Sequence, residues 1–254
     1  MQRPILVANW KNHPNSLTEA KTLLKGLSAN RALYKKTSLF VAPPWPYFEF
    51  VSEKIGGYAS LASQDIALDI ETTTGSVTAD ILKSFGTKLT IIGHSERRAL
   101  GETSGDVSRK LAIALDAGIV PLVCVGEPIQ DEDGEHFEFL REELKLSLAS
   151  LSRRADASKL VIAYEPIWAI GKGADDAIAP SDLAQSVIFI RKVITDMFGS
   201  KIATSIPILY GGSVETSNAL ALMRETGVRG FLVGHASLRA KSFKEIAESL
   251  IVKK

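Results

Sequence analysis

The chain has 254 residues, 45% of them hydrophobic and 23% charged, with a net charge of +1 and a single cysteine. That length buries a substantial core in one or two domains. The near-neutral balance argues against nucleic acid or an anionic membrane as the main partner, and one cysteine excludes an internal disulfide.

Taken in chain order, short runs rich in β-branched residues recur at 5–8, 38–42, 60–63, 89–92, 120–125, 160–163, 206–209 and 230–233. Most are apolar on both faces, the pattern of strands in a parallel sheet covered by helices. Helix-period segments lie between them. Ser16-Leu-Thr-Glu19 reads as a capping box, followed by Leu23, Leu24 and Leu27 on one face. Val107, Leu111 and Leu115 share a face ahead of Gly118, and Leu220 and Met223 precede Gly227 in the same way. The acidic cluster 131–135 reads as a solvated helix entry, and Ser242-Phe-Lys-Glu245 as the opening of a last helix with Ile246 and Leu250 facing inward. Cys124 falls inside the apolar run 120–125 and reads as a core residue rather than a nucleophile.

The N-terminal apolar stretch is too short for a signal peptide. Glu165 and Pro166 interrupt the longest apolar stretch before it reaches membrane-spanning length. The single cysteine fits a reducing, cytoplasmic setting. No linker or low-complexity tract divides the chain. Eight strand–helix units over residues 1–254 predict a single-domain (β/α)8 barrel of the α/β class. The rival, an open doubly wound sheet, lacks a Gly-x-Gly-x-x-Gly after its first strand.

In such a barrel the reactive groups sit where strands end. Those positions carry Asn9 and Lys11 after the first strand and Gln64 and Asp65 after the third. The fourth gives His94, Glu96, Arg97 and Arg98, the fifth Glu127 and the sixth Glu165. The last two give Tyr210-Gly211-Gly212-Ser213 and Gly234-His235. Any one of them could be a satisfied structural polar group; all of them on one face is harder to explain that way. Glu165 stands before a loop with Gly171 and Gly173, the layout of a general base covered by a lid. His94 precedes what reads as the first turn of a helix, where the dipole favours neutral imidazole as a donor. Glycines at 171, 173, 211, 212 and 234, with the Ser213 hydroxyl, suit a phosphate cradle, and the amides of Gly211 and Gly212 are free to point at an anion. Base, electrophile and phosphate grip together suggest proton transfer next to a carbonyl on a small phosphorylated substrate. The four histidines show no metal-ligand spacing, and no lysine occupies the end of the sixth strand, where an imine-forming barrel enzyme would need one.

Asn9-Trp10-Lys11, Gly93-His94-Ser95-Glu96-Arg97-Arg98, Cys124-Val125-Gly126-Glu127, the run from Tyr164-Glu165-Pro166 to Gly171, Tyr210-Gly211-Gly212-Ser213 and Gly230-Phe231-Leu232-Val233-Gly234 resemble the triosephosphate isomerase family. The resemblance runs in order over nearly the whole chain. It implies interconversion of dihydroxyacetone phosphate and glyceraldehyde 3-phosphate, in the cytoplasm, without metal or organic cofactor. It implies Glu165 as the base, neutral His94 as the electrophile and Lys11 as the third catalytic group, the acid–base pattern for which this family is known. Asn9, Lys11, Gly171, Ser213, Gly234 and the His235 amide would bind substrate, with Glu96 and Tyr210 in support. Pro166-Ile167-Trp168 would be the hinge of the closing loop, latched by Tyr210.

The same resemblance implies a homodimer through the loop 64–76. There the family's closing acid is replaced by Ser76 and its aromatic by Thr73, and the acid's usual partner is an arginine of the other subunit at the position of Arg97. His235 replaces a glycine, and the segment after Gly173 is longer and acidic. Asn12 and His13 follow Lys11 where the family usually shows Met and Asn. A pocket broadened near Asn12, His13 and His235 would favour a different sugar-phosphate isomerase. A third possibility is a non-enzymatic binding scaffold.

Overall fold

The computed structural model describes residues 3–68, 74–131, 133–153, 159–171 and 177–251. Its strands are β1 (Ile5–Asn9), β2 (Ser38–Ala42), β3 (Ser60–Ser63), β4 (Leu89–Ile92), β5 (Val120–Val125), β6 (Val161–Tyr164), β7 (Ile208–Tyr210) and β8 (Gly230–Val233). They follow chain order in a closed barrel, each parallel to the next, with β8 returning to pair with β1. At that seam Gly230 (φ 147°) faces Ile5, where a Cβ would stand 1.7 Å from the Ile5 carbonyl oxygen. Only glycine lets these two backbones close the ring.

Both strand faces are buried, as the apolar runs require. Val7, Leu89, Ile91, Leu122, Cys124, Leu209 and Leu232 fill the barrel. The alternate residues Leu6, Ala8, Val123, Ile162 and Phe231 belong to the larger core shared with the helices. The interior is therefore packed, and substrate access is confined to the strand ends. Burial in this interior, and then the nearby Glu165 carboxylate, push the Cys124 thiol well up, so it stays protonated.

Most strand boundaries match those read from sequence; β1 runs one residue further, and β6 lies one residue later. β7 starts at Ile208 because Ile206 caps the helix Ser200–Ser205, its N–H bonded to the Ile202 carbonyl at 3.3 Å. Pro207 then has no N–H for the ladder.

The helix Leu17–Ala29 has Ser16 as its N-cap, the hydroxyl accepting from the Glu19 N–H at 3.2 Å. The reciprocal half of the expected box is displaced: the Glu19 carboxylate accepts from the Asn15 amide, not that of Ser16. A complete capping box occurs instead at Thr103 and Asp106, opening the helix Ser104–Asp116. That helix buries Val107, Leu111 and Ala114, with Leu115 half-buried beside them. In the helix Ala219–Glu225, Leu222 faces inward and Leu220 is exposed.

The acidic entry at Asp131 takes a definite form. Its carboxylate accepts the amides of Gly134, Glu135 and His136 and starts the helix Glu135–Ser147. The last helix, Ala240–Ile251, begins before Ser242 and buries Phe243, Ile246 and Leu250. No helix among the described residues is long and apolar enough to cross a membrane. Gly173, Thr73 and the acidic segment 174–176 lie outside the described residues.

Candidate active site

The polar residues from the strand ends gather around one cavity of about 370 Å³, lined by Asn9, Lys11, His94, Glu165, Gly171, Ser213, Gly234 and His235 among others. The structure thus brings together the catalytic and substrate-binding residues expected from the sequence, apart from Gly173, which lies outside the described residues.

Asn9 ends β1, buried, and its Oδ1 accepts the Lys11 amide at 3.0 Å. This turn forces Lys11 to φ 52°, the one positive φ outside glycine among the described residues. Such a conformation costs a non-glycine residue on the order of 1 kcal/mol and marks a position held by its surroundings. Gln64 holds it from the far side, its Nε2 donating to the carbonyls of Lys11 (2.7 Å) and Ala42 (2.9 Å). The outcome is an ammonium aimed across the pocket mouth, where Lys11 Nζ meets Glu96 Oε1 at 2.6 Å.

His94 ends the β4 turn and caps the short helix Ser95–Ala99. Its Nδ1 accepts the Glu96 amide at 3.2 Å. An accepting nitrogen carries no proton, so a neutral ring keeps its proton on Nε2. That nitrogen lies 3.4 Å from Glu165 Oε1, without the geometry of a hydrogen bond.

Glu165 leaves β6 with 2% exposure. Its Oε2 accepts the Ser95 amide at 3.0 Å, while Oε1 is buried and has no hydrogen-bond partner among the described residues. A buried carboxylate oxygen with no partner is costly unless a ligand uses it. Its backbone is set by Val125, whose carbonyl accepts the Glu165 amide at 2.8 Å.

Below the base lies a buried network. Glu143 Oε1 stands 3.3 Å from Arg98 Nε, and Glu143 Oε2 accepts the Gly126 amide at 2.7 Å. Burial pushes the Glu143 carboxyl up against the opposing pull of the Arg98 guanidinium. Arg98 also donates to the carbonyls of Gly93 (2.9 Å) and Cys124 (3.2 Å), tying β4 to β5 beneath the pocket. Glu127, fully buried, accepts both the Tyr164 hydroxyl (2.7 Å) and the Trp168 indole N–H (2.8 Å) on the same oxygen. It thereby fixes the hinge Ile167–Ala169 that leads out of β6.

On the opposite wall, Ser213 Oγ donates to the Ala169 carbonyl at 2.8 Å, joining the loop after β7 to that hinge. Gly211 corrects the expectation for its amide. That N–H donates to the Tyr164 carbonyl at 2.8 Å, extending the β6–β7 ladder, and is not free for an anion. Among the described residues the Gly212 and His235 amides donate to no backbone carbonyl. Gly211 and Gly212 matter for room. A Cβ at Gly211 would lie 2.8 Å from Glu165 Cγ, and one at Gly212 would lie 2.3 Å from the Tyr210 oxygen. Tyr210 is fully buried, and burial holds its hydroxyl protonated well above the ordinary phenol range. Its oxygen has no partner of good geometry among the described residues, only a loose approach of the Ser213 amide. The segment it would latch lies largely outside them.

His13 does not line the pocket. It belongs to a separate groove with Pro14, Glu19, Leu23 and Leu238. Sequence reasoning gave Glu127 no role, named Ser95 only within a motif and missed Glu143 altogether. Glu143 left a signal: it sits at helical spacing from Leu140, Leu144 and Ser147, a carboxylate on an otherwise inward face.

Fold and site together define a (β/α)8 barrel with its polar cluster at the C-terminal strand ends, the arrangement of barrel enzymes. A family model described as triosephosphate isomerase matches residues 4–250. Curated relatives named triosephosphate isomerase include those of Geobacter metallireducens, 39% identical over 97% of this chain and 98% of the relative, and Citrifermentans bemidjiense, 38% identical over 97% and 98%. A third, from Cytophaga hutchinsonii, is 38% identical over 98% of this chain and 100% of its own length. The chain belongs to the triosephosphate isomerase family.

Proposed function

We infer that this isomerase interconverts dihydroxyacetone phosphate and D-glyceraldehyde 3-phosphate through an enediolate. The observation that carries the reading is Glu165 Oε1, buried, unpartnered and facing His94 Nε2. The carboxylate removes a proton from the carbon beside the carbonyl. The His94 Nε2–H donates to the carbonyl oxygen as negative charge develops there, and Lys11 adds a fixed positive charge. The hydroxyl proton passes to the former carbonyl oxygen beside His94 Nε2, the proton carried by Glu165 is returned to the neighbouring carbon, and aldehyde and ketone exchange places. Asn9 supports Lys11, Glu96 positions both His94 and Lys11, and the phosphate lies toward Gly171, Ser213, Gly234 and His235. Closure of the loop after the Trp168 hinge excludes water and prevents the enediolate from losing phosphate.

His13 faces another groove, which removes one support for a different sugar-phosphate isomerase. A binding scaffold gives no account of the partnerless carboxylate oxygen.

The test is coupled turnover of glyceraldehyde 3-phosphate by the purified chain, without added metal or cofactor, together with Glu165→Gln. Fast isomerisation by the wild type is expected, with a fall of about 10²–10⁴-fold in the variant. Equal rates in the two proteins would sink the mechanism.

The chain also works, in this reading, as a cytoplasmic homodimer through the loop 64–76. A cleft of about 270 Å³ between that loop, Lys11 and Arg97 supports it. Arg97 is engaged within the chain, 3.2 Å from Asp65, which also bonds Lys110 at 2.6 Å. With Ser76 in place of an acid, the arginine retains an anionic partner without the second subunit. Sedimentation across a dilution series, read beside specific activity, tests the dimer; a monomer of undiminished activity at all concentrations would remove it.

A further inference from the structure

We propose that His235 and Arg239 form a phosphate-gripping pair, in which the guanidinium of Arg239 holds the His235 imidazole as an N–H donor toward the substrate's phosphate. The proposal rests on the reading of the pocket given above and deepens it with two residues of this chain's own.

His235 lines the cavity that holds Glu165, Lys11 and Ser213. It stands where the family resemblance leads one to expect glycine, so the imidazole is this chain's own. Both His235 and Arg239 are exposed, and neither is explained by packing. They lie at the two ends of one short turn, His235–Leu238, and Arg239 Nη2 is 3.2 Å from His235 Nδ1. Arginine has donors only, so Nδ1 is the acceptor and the ring proton sits on Nε2. No described residue accepts from that N–H.

The chemistry suits a phosphate dianion. A neutral imidazole bonded to a guanidinium is polarised by it and becomes a better donor at its far nitrogen. The guanidinium sits on the Nδ1 side of the ring, and the imidazole alone makes the contact at Nε2. On the same wall, a Cβ at Gly234 would meet Lys11 Cε at 3.2 Å. The lysine arm therefore packs against the backbone of Gly234, next to His235 in the chain. His235 is the binding group here and Arg239 a positioning residue that acts through it.

The experiment compares wild type, His235→Gly, Arg239→Gln and the double variant. Two readouts are taken: the Kd of inorganic phosphate by titration calorimetry, and kcat and KM for glyceraldehyde 3-phosphate. Each single variant is expected to weaken phosphate binding roughly three- to ten-fold, with a rise in KM that exceeds any fall in kcat. The double variant is expected to bind phosphate no more weakly than His235→Gly alone, because Arg239 acts through the ring. An unchanged phosphate Kd in His235→Gly overturns the proposal. Additive losses in the double variant overturn the relay, since Arg239 would then act on its own. A wild type that binds phosphate but isomerises nothing defeats the functional reading instead, and the calorimetry still decides the pair.

Discussion

The backbone carbonyl of Glu165 occupies the space that a side chain on Gly126 would need. A Cβ there would lie 1.9 Å from the carbonyl oxygen and 2.4 Å from its carbon. The Gly126 amide is meanwhile held by Glu143, which pairs with Arg98. The base therefore rests on a floor made of a glycine and a buried ion pair.

Gly126→Ala and Gly211→Ala should separate two ways of disturbing that base. At Gly126 the obstacle is backbone, which cannot give way without moving β6. At Gly211 it is Glu165 Cγ at 2.8 Å, part of a side chain that can rotate. Gly126→Ala is expected to cost about 1–3 kcal/mol of stability as well as activity. Gly211→Ala is expected to keep most of its stability and lose roughly ten- to a hundred-fold in kcat, because the carboxylate is pushed off its line to the substrate. Urea unfolding beside kcat measures both. Equal stability losses in the two variants would contradict the floor.

Lys11→Gly should uncouple stability from activity. Glycine adopts φ 52° without the penalty lysine meets there, and the backbone bonds to Asn9 and Gln64 remain. The lost contact with Glu96 is an ion pair to a largely exposed carboxylate and contributes little. Stability is expected to stay within about 1 kcal/mol of wild type while kcat/KM falls at least about a hundred-fold. A larger stability loss in the urea midpoint would show that the strained turn depends on the lysine side chain.

Glu127→Ala should harm the hinge more than Trp168→Phe does. The first change strands the buried Tyr164 hydroxyl, at about 1–3 kcal/mol, and also takes the acceptor from the half-buried Trp168 indole. The second removes one donor and leaves Glu127 with Tyr164. Thermal unfolding should rank the variants in that order, and kcat should follow it. A Trp168→Phe protein that is the less stable of the two would mean that indole packing, not Glu127, holds the hinge.

The barrel was legible because its signals are local: apolar runs at regular intervals, separated by helical periods. His94, Glu165 and Lys11 were legible because strand ends are where barrels carry chemistry. What escaped was set by register and distance. That Gly211 spends its amide on Tyr164 depends on how β6 pairs with β7, which glycine content does not reveal. That Ser95 holds Glu165 depends on residues 70 positions apart. Glu143 is the instructive miss, since a carboxylate among Leu140, Leu144 and Ser147 announces burial but not its partner. The shift of the capping box from Ser16 to Thr103 has a plainer cause: at Ser16 the glutamate reaches one amide too far back, whereas the shorter aspartate at 106 reaches its own cap.

That second cap carries a pH signature. The Asp106 carboxylate accepts the Thr103 hydroxyl at 2.7 Å and the Thr103 amide at 2.9 Å, and these bonds lower its pKa from 3.8 to about 2. The folded pKa lies below the unfolded one, so the native state binds fewer protons in this window. The contribution to stability is therefore whole above 3.8 and is lost as pH falls toward about 2. Thr103→Ala removes the hydroxyl from both sides of the box and is expected to cost about 1 kcal/mol near neutral pH. The gap from wild type should narrow as pH falls from 3.8 toward about 2, because the carboxylate that the hydroxyl protects takes up its proton over that range. Urea unfolding at about pH 6 and about pH 3 reads the gap directly. A gap that stays constant or widens at the lower pH would show that the Asp106 charge contributes nothing to the cap.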